Sequence, residues 1–353
     1  MLFALTPKNC RWLAFPLLLL LTGLAGCRKD PEIPENGQVS AAETGFRIPA
    51  GWPAPHYSFA GNALKPEIIR LGKKLFNDPS LSGDGSVSCG SCHQPAGAFS
   101  QTGHVVSHGV AGRLGTRNSP GLFNLAWHSS LMWDGGANNL ETQILIPLQS
   151  HEEMDLTPQA LVEKVSASPE YQRDFRNAYG DPQINLARIL KSMTQFEATL
   201  ISDHAKWDRV QRGEAHFTPE EAAGEKLFST HCGTCHKPPL FTDFAFRSNG
   251  LTAGVANDSG RMRISRQAAD QYRFKVPSIR NWGFTAPYFH DGRAATLDAV
   301  LKHYTLEIAA QPQPYTDPQL RGGVVLDAHQ QRQLKAFLHT LNDSAFVQNP
   351  AFR

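Results

Sequence analysis

One pattern occurs twice in the 353 residues: Cys89-Gly-Ser-Cys92-His93 and Cys232-Gly-Thr-Cys235-His236. C-x-x-C-H is the attachment pattern of c-type haem. Two thiols three residues apart reach the two vinyl groups on one edge of the macrocycle. The adjacent His then swings beneath the iron as an axial ligand. Cys89, Cys92, Cys232 and Cys235 are therefore expected to anchor two covalent haems, with His93 and His236 as proximal ligands. Such a chain folds around its cofactors, and the macrocycles supply much of the core. A zinc site is the competing reading, but Cys₄ zinc sites bring their pairs within about 15–20 residues. These pairs start 143 positions apart, and each carries a trailing His. A thioredoxin-like redox pair needs a strand–helix context that neither motif has.

The two remaining cysteines are Cys10 and Cys27. Lys8 and Arg11 precede an apolar run from Trp12 to Leu24, and Leu24-Ala25-Gly26-Cys27 follows. Small residues before a cleavage point mark a signal peptide. The cysteine at the junction is similar to a bacterial lipobox. The expectation is a signal peptide over 1–26 and a lipid on Cys27. An uncleaved membrane anchor is the alternative, but the run is short and broken by Pro16. Residues 27–55 are polar and Pro-rich and read as a flexible tether. Haem attachment occurs outside the cytoplasm, so export and motif agree. The expected place is the periplasmic side of the envelope, with membrane contact through the lipid alone. With 34 basic against 32 acidic side chains and no block of like charge, no nucleic-acid partner is expected.

A wider repeat surrounds the motifs. Leu71-Gly-Lys-Lys-Leu-Phe76 precedes the first and Ala223-Gly-Glu-Lys-Leu-Phe228 the second. Each sits behind a helix start, Lys65-Pro66-Glu67 and Thr218-Pro219-Glu220-Glu221. Further helices are predicted over 157–166, 183–203, 296–304 and 327–341, and strand signals are few. The expected fold is mainly α: two cytochrome c-like domains over 56–210 and 211–353, each wrapping one haem with long loops. The boundary falls in the polar stretch 205–217.

Beyond the haem motifs, the chain resembles the bacterial di-haem cytochrome c peroxidase family, which includes the MauG-type enzymes. The resemblance runs from about Leu64 to Phe346. It is carried by Leu71-Gly-Lys-Lys-Leu-Phe-Asn-Asp-Pro79, Arg117-Asn-Ser-Pro120, Trp133-Asp-Gly135, Glu153-Met154, Phe274-Lys-Val-Pro-Ser-Ile-Arg-Asn281 and Thr285-Ala-Pro-Tyr-Phe-His-Asp-Gly292. It implies a peroxidatic haem in the first domain and an electron-transfer haem in the second. It implies hydrogen peroxide as substrate, with a small cytochrome c or cupredoxin as electron donor, or a protein substrate oxidised at long range. Glu153 matches the distal carboxylate, and a positioned carboxylate can shuttle the proton that O–O cleavage requires. Gln143 and Pro147 match other pocket positions, and Trp133 matches the tryptophan between the haems. Asn118, Thr285 and Pro287 match an inter-domain calcium site, and oxygen ligands suit Ca²⁺.

The sequence departs from the family pattern at three places. Gly136 stands where Arg usually follows Trp-Asp-Gly. Val110 stands where many members carry a loop His that closes the first haem, with His104 and His108 nearby as alternatives. Tyr304, seventeen residues after Pro287, replaces the usual Met ligand of the second haem, as in MauG-type members. A thioether favours Fe(II) and raises the potential; a phenolate favours higher oxidation states. His303 and Met262 are the alternative ligands. A plain electron-transfer cytochrome without catalysis is the remaining reading of another class.

Overall fold

The computed structural model describes residues 46–251 and 257–352. The predicted signal peptide and the lipid site Cys27 lie outside them. The longer helices are α1 (Pro66–Asn77), α2 (Leu140–Gln149), α3 (Pro158–Ala167), α4 (Pro169–Tyr179), α5 (Leu186–Ala198), α6 (Lys206–Gln211), α7 (Pro219–His231), α8 (Met262–Ser265), α9 (Leu297–Lys302), α10 (Ala328–His339) and α11 (Ser344–Gln348). Among the described residues the only strands are β1 (Phe246–Arg247) and β2 (Phe274–Lys275), paired antiparallel. No described helix is long and apolar enough to cross a membrane.

The repeat in the sequence becomes the same helix crossing built twice. Pro66 at the first turn and Glu67 near the positive end of the helix start α1, whose Ile68, Leu71, Leu75 and Phe76 are buried. It packs on α5, which Asn185 caps by accepting the Arg188 N–H at 3.0 Å. In the second half, Thr218 and Glu221 form a capping box at α7, and Asp327 and Gln330 form one at α10. These two helices pack on each other as α1 and α5 do. Gly72 is the contact point of the first crossing: a Cβ there would fall on the Ser192 carbonyl. Gly224, at the equivalent place in the repeat, stands in the same relation to the Gln333 carbonyl.

Three differences from expectation have physical causes. The tether was expected to reach residue 55, but Phe46 stacks on Trp127 at 5.8 Å and the Trp127 indole N–H donates to the Pro53 carbonyl. Residues 46–55 are thus tied to the first core by aromatic contacts. The helix predicted over 183–203 spans only Leu186–Ala198, because Asn185 caps it and the Thr199 N–H turns back to the Phe196 carbonyl. The polar stretch expected as a boundary holds α6, with Trp207 and Asp208 buried. Asp208 forms a buried ion pair with Arg280, whose guanidinium stacks over Trp52 at 5.0 Å. At the far end, Phe346 and Val347 of α11 join the hydrophobic core of the first half.

Candidate active site

The first attachment motif forms one helical turn, Cys89–Cys92, that ends at His93. The His93 Nδ1–H donates to the Phe99 carbonyl at 2.7 Å, and the Pro120 carbonyl also faces the ring. Burial pushes the imidazole down to about 4. The ring is therefore neutral, with Nδ1 occupied and Nε2 free to bind a metal. The Cys89 thiol lies 3.9 Å from the Met154 sulfur, and the Cys92 thiol 3.6 Å from the His108 carbonyl. Burial raises both thiols, and the charge of Glu153 adds to the effect at each.

Glu153 therefore stands close to the attachment edge. Its carboxylate accepts from the Ser107 hydroxyl at 3.0 Å, and burial raises its pKa above the usual carboxylate range, against that hydrogen bond. Its own carbonyl accepts the Val110 N–H at 2.8 Å. Gly109 lies so close that a Cβ would strike the backbone of Glu152 and Glu153. Val110 is buried, whereas the His104 and His108 rings pack against each other 4.3 Å apart.

The second motif repeats the scheme. The His236 Nδ1–H donates to the Phe241 carbonyl at 3.1 Å, and the Pro277 carbonyl faces the same ring. Burial lowers this imidazole too and pushes the Cys232 thiol up to about 12. Cys232, Cys235 and His236 line a large apolar cavity, together with Phe228, Leu301 and Leu334.

Tyr304 is on the wall of that cavity, in a π-helical segment, His303–Glu307, that continues α9. The extra residue of a π turn shifts the helix face. Burial pushes the Tyr304 phenol up to about 12, while the Asn249 side chain pulls it the other way. A phenolate in such a place requires a cation beside it, and ferric iron is one. His303 is spent elsewhere: its Nε2 lies 2.9 Å from the Asn249 carbonyl and its Nδ1 3.4 Å from Glu307. Neither His303 nor Met262 is among the residues that line the cavity.

Asn118, Trp133, Gln143, Thr285 and Pro287 line the same cavity. The Trp133 indole N–H donates to the Asn118 carbonyl at 2.8 Å. Asn118 turns its amide N–H groups to the carbonyls of His104 and Val105, which leaves its side-chain oxygen for another partner. No cluster of three or more His, Cys, Asp or Glu able to hold a metal occurs among the described residues. A calcium site here would rest on Asn118 and on carbonyls. The buried side-chain oxygen of Gln143 has no hydrogen-bond partner. Such an orphan, in a cavity flanked by a neutral His and a Tyr, fits a macrocycle with iron-bound ligands or water.

Sequence reasoning missed several supports. Arg117 binds Asp134 at 2.6 Å and Asp258 at 2.6 Å, which pins the Trp133 loop to the second half. It lies in a motif already singled out, directly before Asn118. Ser107 and Asn249 carried no pattern that could mark them. Near Gly136, where the family arginine is missing, the guanidinium of Arg261 reaches the Asp134 carbonyl at 3.2 Å and stacks on Phe246 at 3.8 Å.

Residues 66–216 match a family model described as di-haem cytochrome c peroxidase. The chain is 36% identical over 310 residues to the methylamine utilization protein MauG of Methylorubrum extorquens, covering 86% of this chain and 85% of that one. It is 32% identical over 249 residues to the cytochrome c551 peroxidase of Nitrosomonas europaea, covering 68% and 74%. The crystal structure of a MauG-like protein associated with microbial copper homeostasis superposes with a TM-score of 0.81 at 30% identity, covering 87% of this chain and 98% of that one.

Proposed function

Because the chain belongs to the di-haem cytochrome c peroxidase and MauG family, a group of c-type haem enzymes, we propose that its first haem site takes up hydrogen peroxide, with Glu153 as the proton-transfer group. The observation that carries this is the placement of Glu153: partly buried, held by Ser107 at 3.0 Å, and adjacent in the chain to Met154, whose sulfur lies 3.9 Å from the Cys89 thiol. A haem held by Cys89, Cys92 and His93 would supply the peroxide-binding site and the redox change. Glu153 takes the proton from one peroxide oxygen and returns it to the other. Burial raises its pKa, which makes the carboxylate a stronger proton acceptor than an exposed one. Gln143, which the resemblance assigns to the pocket, has a buried amide oxygen with no other partner and lines the cavity that also holds the second motif. Overall, H₂O₂ with two protons and two electrons becomes two waters.

Val110 fills the loop position of a closing ligand with an apolar side chain, which supports a first haem open on its peroxide side at rest. Tyr304 as the second haem's sixth ligand supports storage of oxidising equivalents there. Trp133, fixed by Asn118 and by the Lys275 N–H at 2.8 Å, gives an aromatic step between the two sites. Asn118, Thr285 and Pro287 would hold calcium. With Tyr304 in place, the electrons come from a carrier protein, as in a peroxidase, or from aromatic side chains of a protein substrate, as in MauG-type chemistry. The export signal and Cys27 support a periplasmic, lipid-anchored location, with 56–210 and 211–353 as the two haem domains, residues 46–55 and α11 packing on the core of the first.

The test is Glu153→Gln in the protein with both haems loaded. Peroxide consumption should fall by about 10²–10⁴-fold with haem spectra unchanged. Unchanged turnover would remove Glu153 from the chemistry.

A further inference from the structure

Ile264 of α8 and Ile146 of α2 are 49% and 37% exposed. They come from opposite halves of the chain and meet over Gly136: a Cβ on this glycine would lie 3.6 Å from the Ile264 Cδ1 and 3.8 Å from the Ile146 Cδ1. The absence of a side chain at 136 leaves a shallow saddle between the two isoleucines, with the Asp134 carboxylate beneath it, 3.1 Å from that Cβ position. Its rim is basic. Residues 257–273 hold four arginines, 261, 263, 266 and 273, against two aspartates, 258 and 270. Arg263 and Arg273 are 55% and 46% exposed, and Arg266 is exposed as well. Arg263 lies 3.9 Å from the buried Asp258, which Arg117 also binds, and Arg261 and Arg273 lie 3.6 and 4.0 Å from Asp270, so the segment keeps an excess of two positive charges, with Arg266 exposed at its edge. In a chain with 34 basic and 32 acidic side chains, this concentration of positive charge is local.

The saddle is also near in sequence to Trp133, proposed above as the aromatic step between the haems. Gly136 is three residues from Trp133, and Arg261 holds the intervening Asp134 carbonyl at 3.2 Å. A small apolar centre within a charged rim suits a transient electron-transfer encounter, where charge steers approach and little area is buried.

We infer that this saddle is the docking site of the protein that yields electrons to the enzyme, and that the partner presents an acidic rim around a small apolar patch. The inference rests on the peroxide-consuming reading above. Each encounter oxidises the partner by one electron, and two encounters supply the two electrons that reduce one H₂O₂. A second copy of this chain does not fit, since its own basic rim would be repelled.

The test uses the protein with both haems loaded, hydrogen peroxide, and three reduced donors: an acidic cytochrome c, a basic cytochrome c, and hydroquinone. The wild type should prefer the acidic cytochrome, with a rate that falls as salt rises. The double variant Arg263→Glu, Arg266→Glu should lose at least tenfold in kcat/KM for the acidic cytochrome and keep its hydroquinone rate. If the wild type shows no preference for the acidic cytochrome, or charge reversal leaves that rate unchanged while hydroquinone still supports turnover, the docking site is wrong. Failure of all three donors to support peroxide loss would instead overturn the peroxide-consuming reading, and the inference with it.

Discussion

The Trp133 indole N–H donates to the backbone carbonyl of Asn118 at 2.8 Å, so the residue proposed to bridge the haems hangs from a residue proposed to bind calcium. The Asn118 N–H in turn donates to the His290 carbonyl at 2.8 Å, across the seam between the halves. Calcium removal should therefore be felt at the haems. Chelation with EGTA is expected to lower peroxide turnover several-fold and alter the EPR spectrum, with recovery on adding Ca²⁺. Asn118→Ala should weaken calcium affinity by about 10–100-fold. Identical spectra with and without chelator would contradict this.

With Glu153 proposed as the proton-transfer group and its pKa raised by burial, the acid limb of the pH profile should lie above the ordinary carboxylate range. Activity should be lost as pH falls through that raised value. In Glu153→Gln the residual activity should lack this limb. An acid limb that persists in the variant would assign it to another group.

Glu197 on α5 is buried, with one carboxylate oxygen lacking a partner, and burial pushes it up to about 8, with the charge of Glu141 adding to this. The folded protein holds this proton and the unfolded chain, near its ordinary value of 4.5, does not. The stability linked to this group is therefore full below about 4.5 and is lost as pH rises toward 8. Glu197→Gln should match the wild type at pH 4 and exceed it at pH 9 by about 2–4 kcal/mol. Melting curves at the two pH values decide it; a variant less stable at pH 9 would show that the carboxylate has a charged partner.

Gly72 and Gly224 permit the two helix crossings, so Ala at either should destabilise by about 1–3 kcal/mol or more. Haem content per chain and the melting temperature should both fall. Gly61, with open space around its Cβ position, is the control and should tolerate Ala.

The repeat made this crossing legible in the sequence, since glycine stands at one place in both copies. The two C-x-x-C-H motifs were plain for the same reason: their Cys and His stand at one fixed local spacing. What depends on distant partners was not. α2 contains Pro147, which reads as a breaker, yet the helix runs through it. α4 begins at Pro169 directly behind α3, and only the second cap, Ser168 accepting from Tyr171, separates them. The return of α11 to the first core depends on Phe346 meeting Phe99 at 5.8 Å, a contact between residues far apart in the chain. That Tyr304 lines the cavity and His303 does not goes with the π segment, which no local pattern announced.

Tyr304 gives a direct handle on the second haem. Tyr304→Met should raise that haem's midpoint potential, on the order of 0.1 V or more, because a thioether favours the ferrous state. A redox titration reads this. An unchanged potential would exclude Tyr304 as a ligand.

The most direct measurement adds one equivalent of hydrogen peroxide to the diferric protein with no reductant, followed by absorption and EPR. The account predicts that the ferric signals of both haems fade together and that the oxidised protein persists. If nothing changes until one haem has been reduced beforehand, the open first site at Val110 and the shared oxidation through Tyr304 are both contradicted.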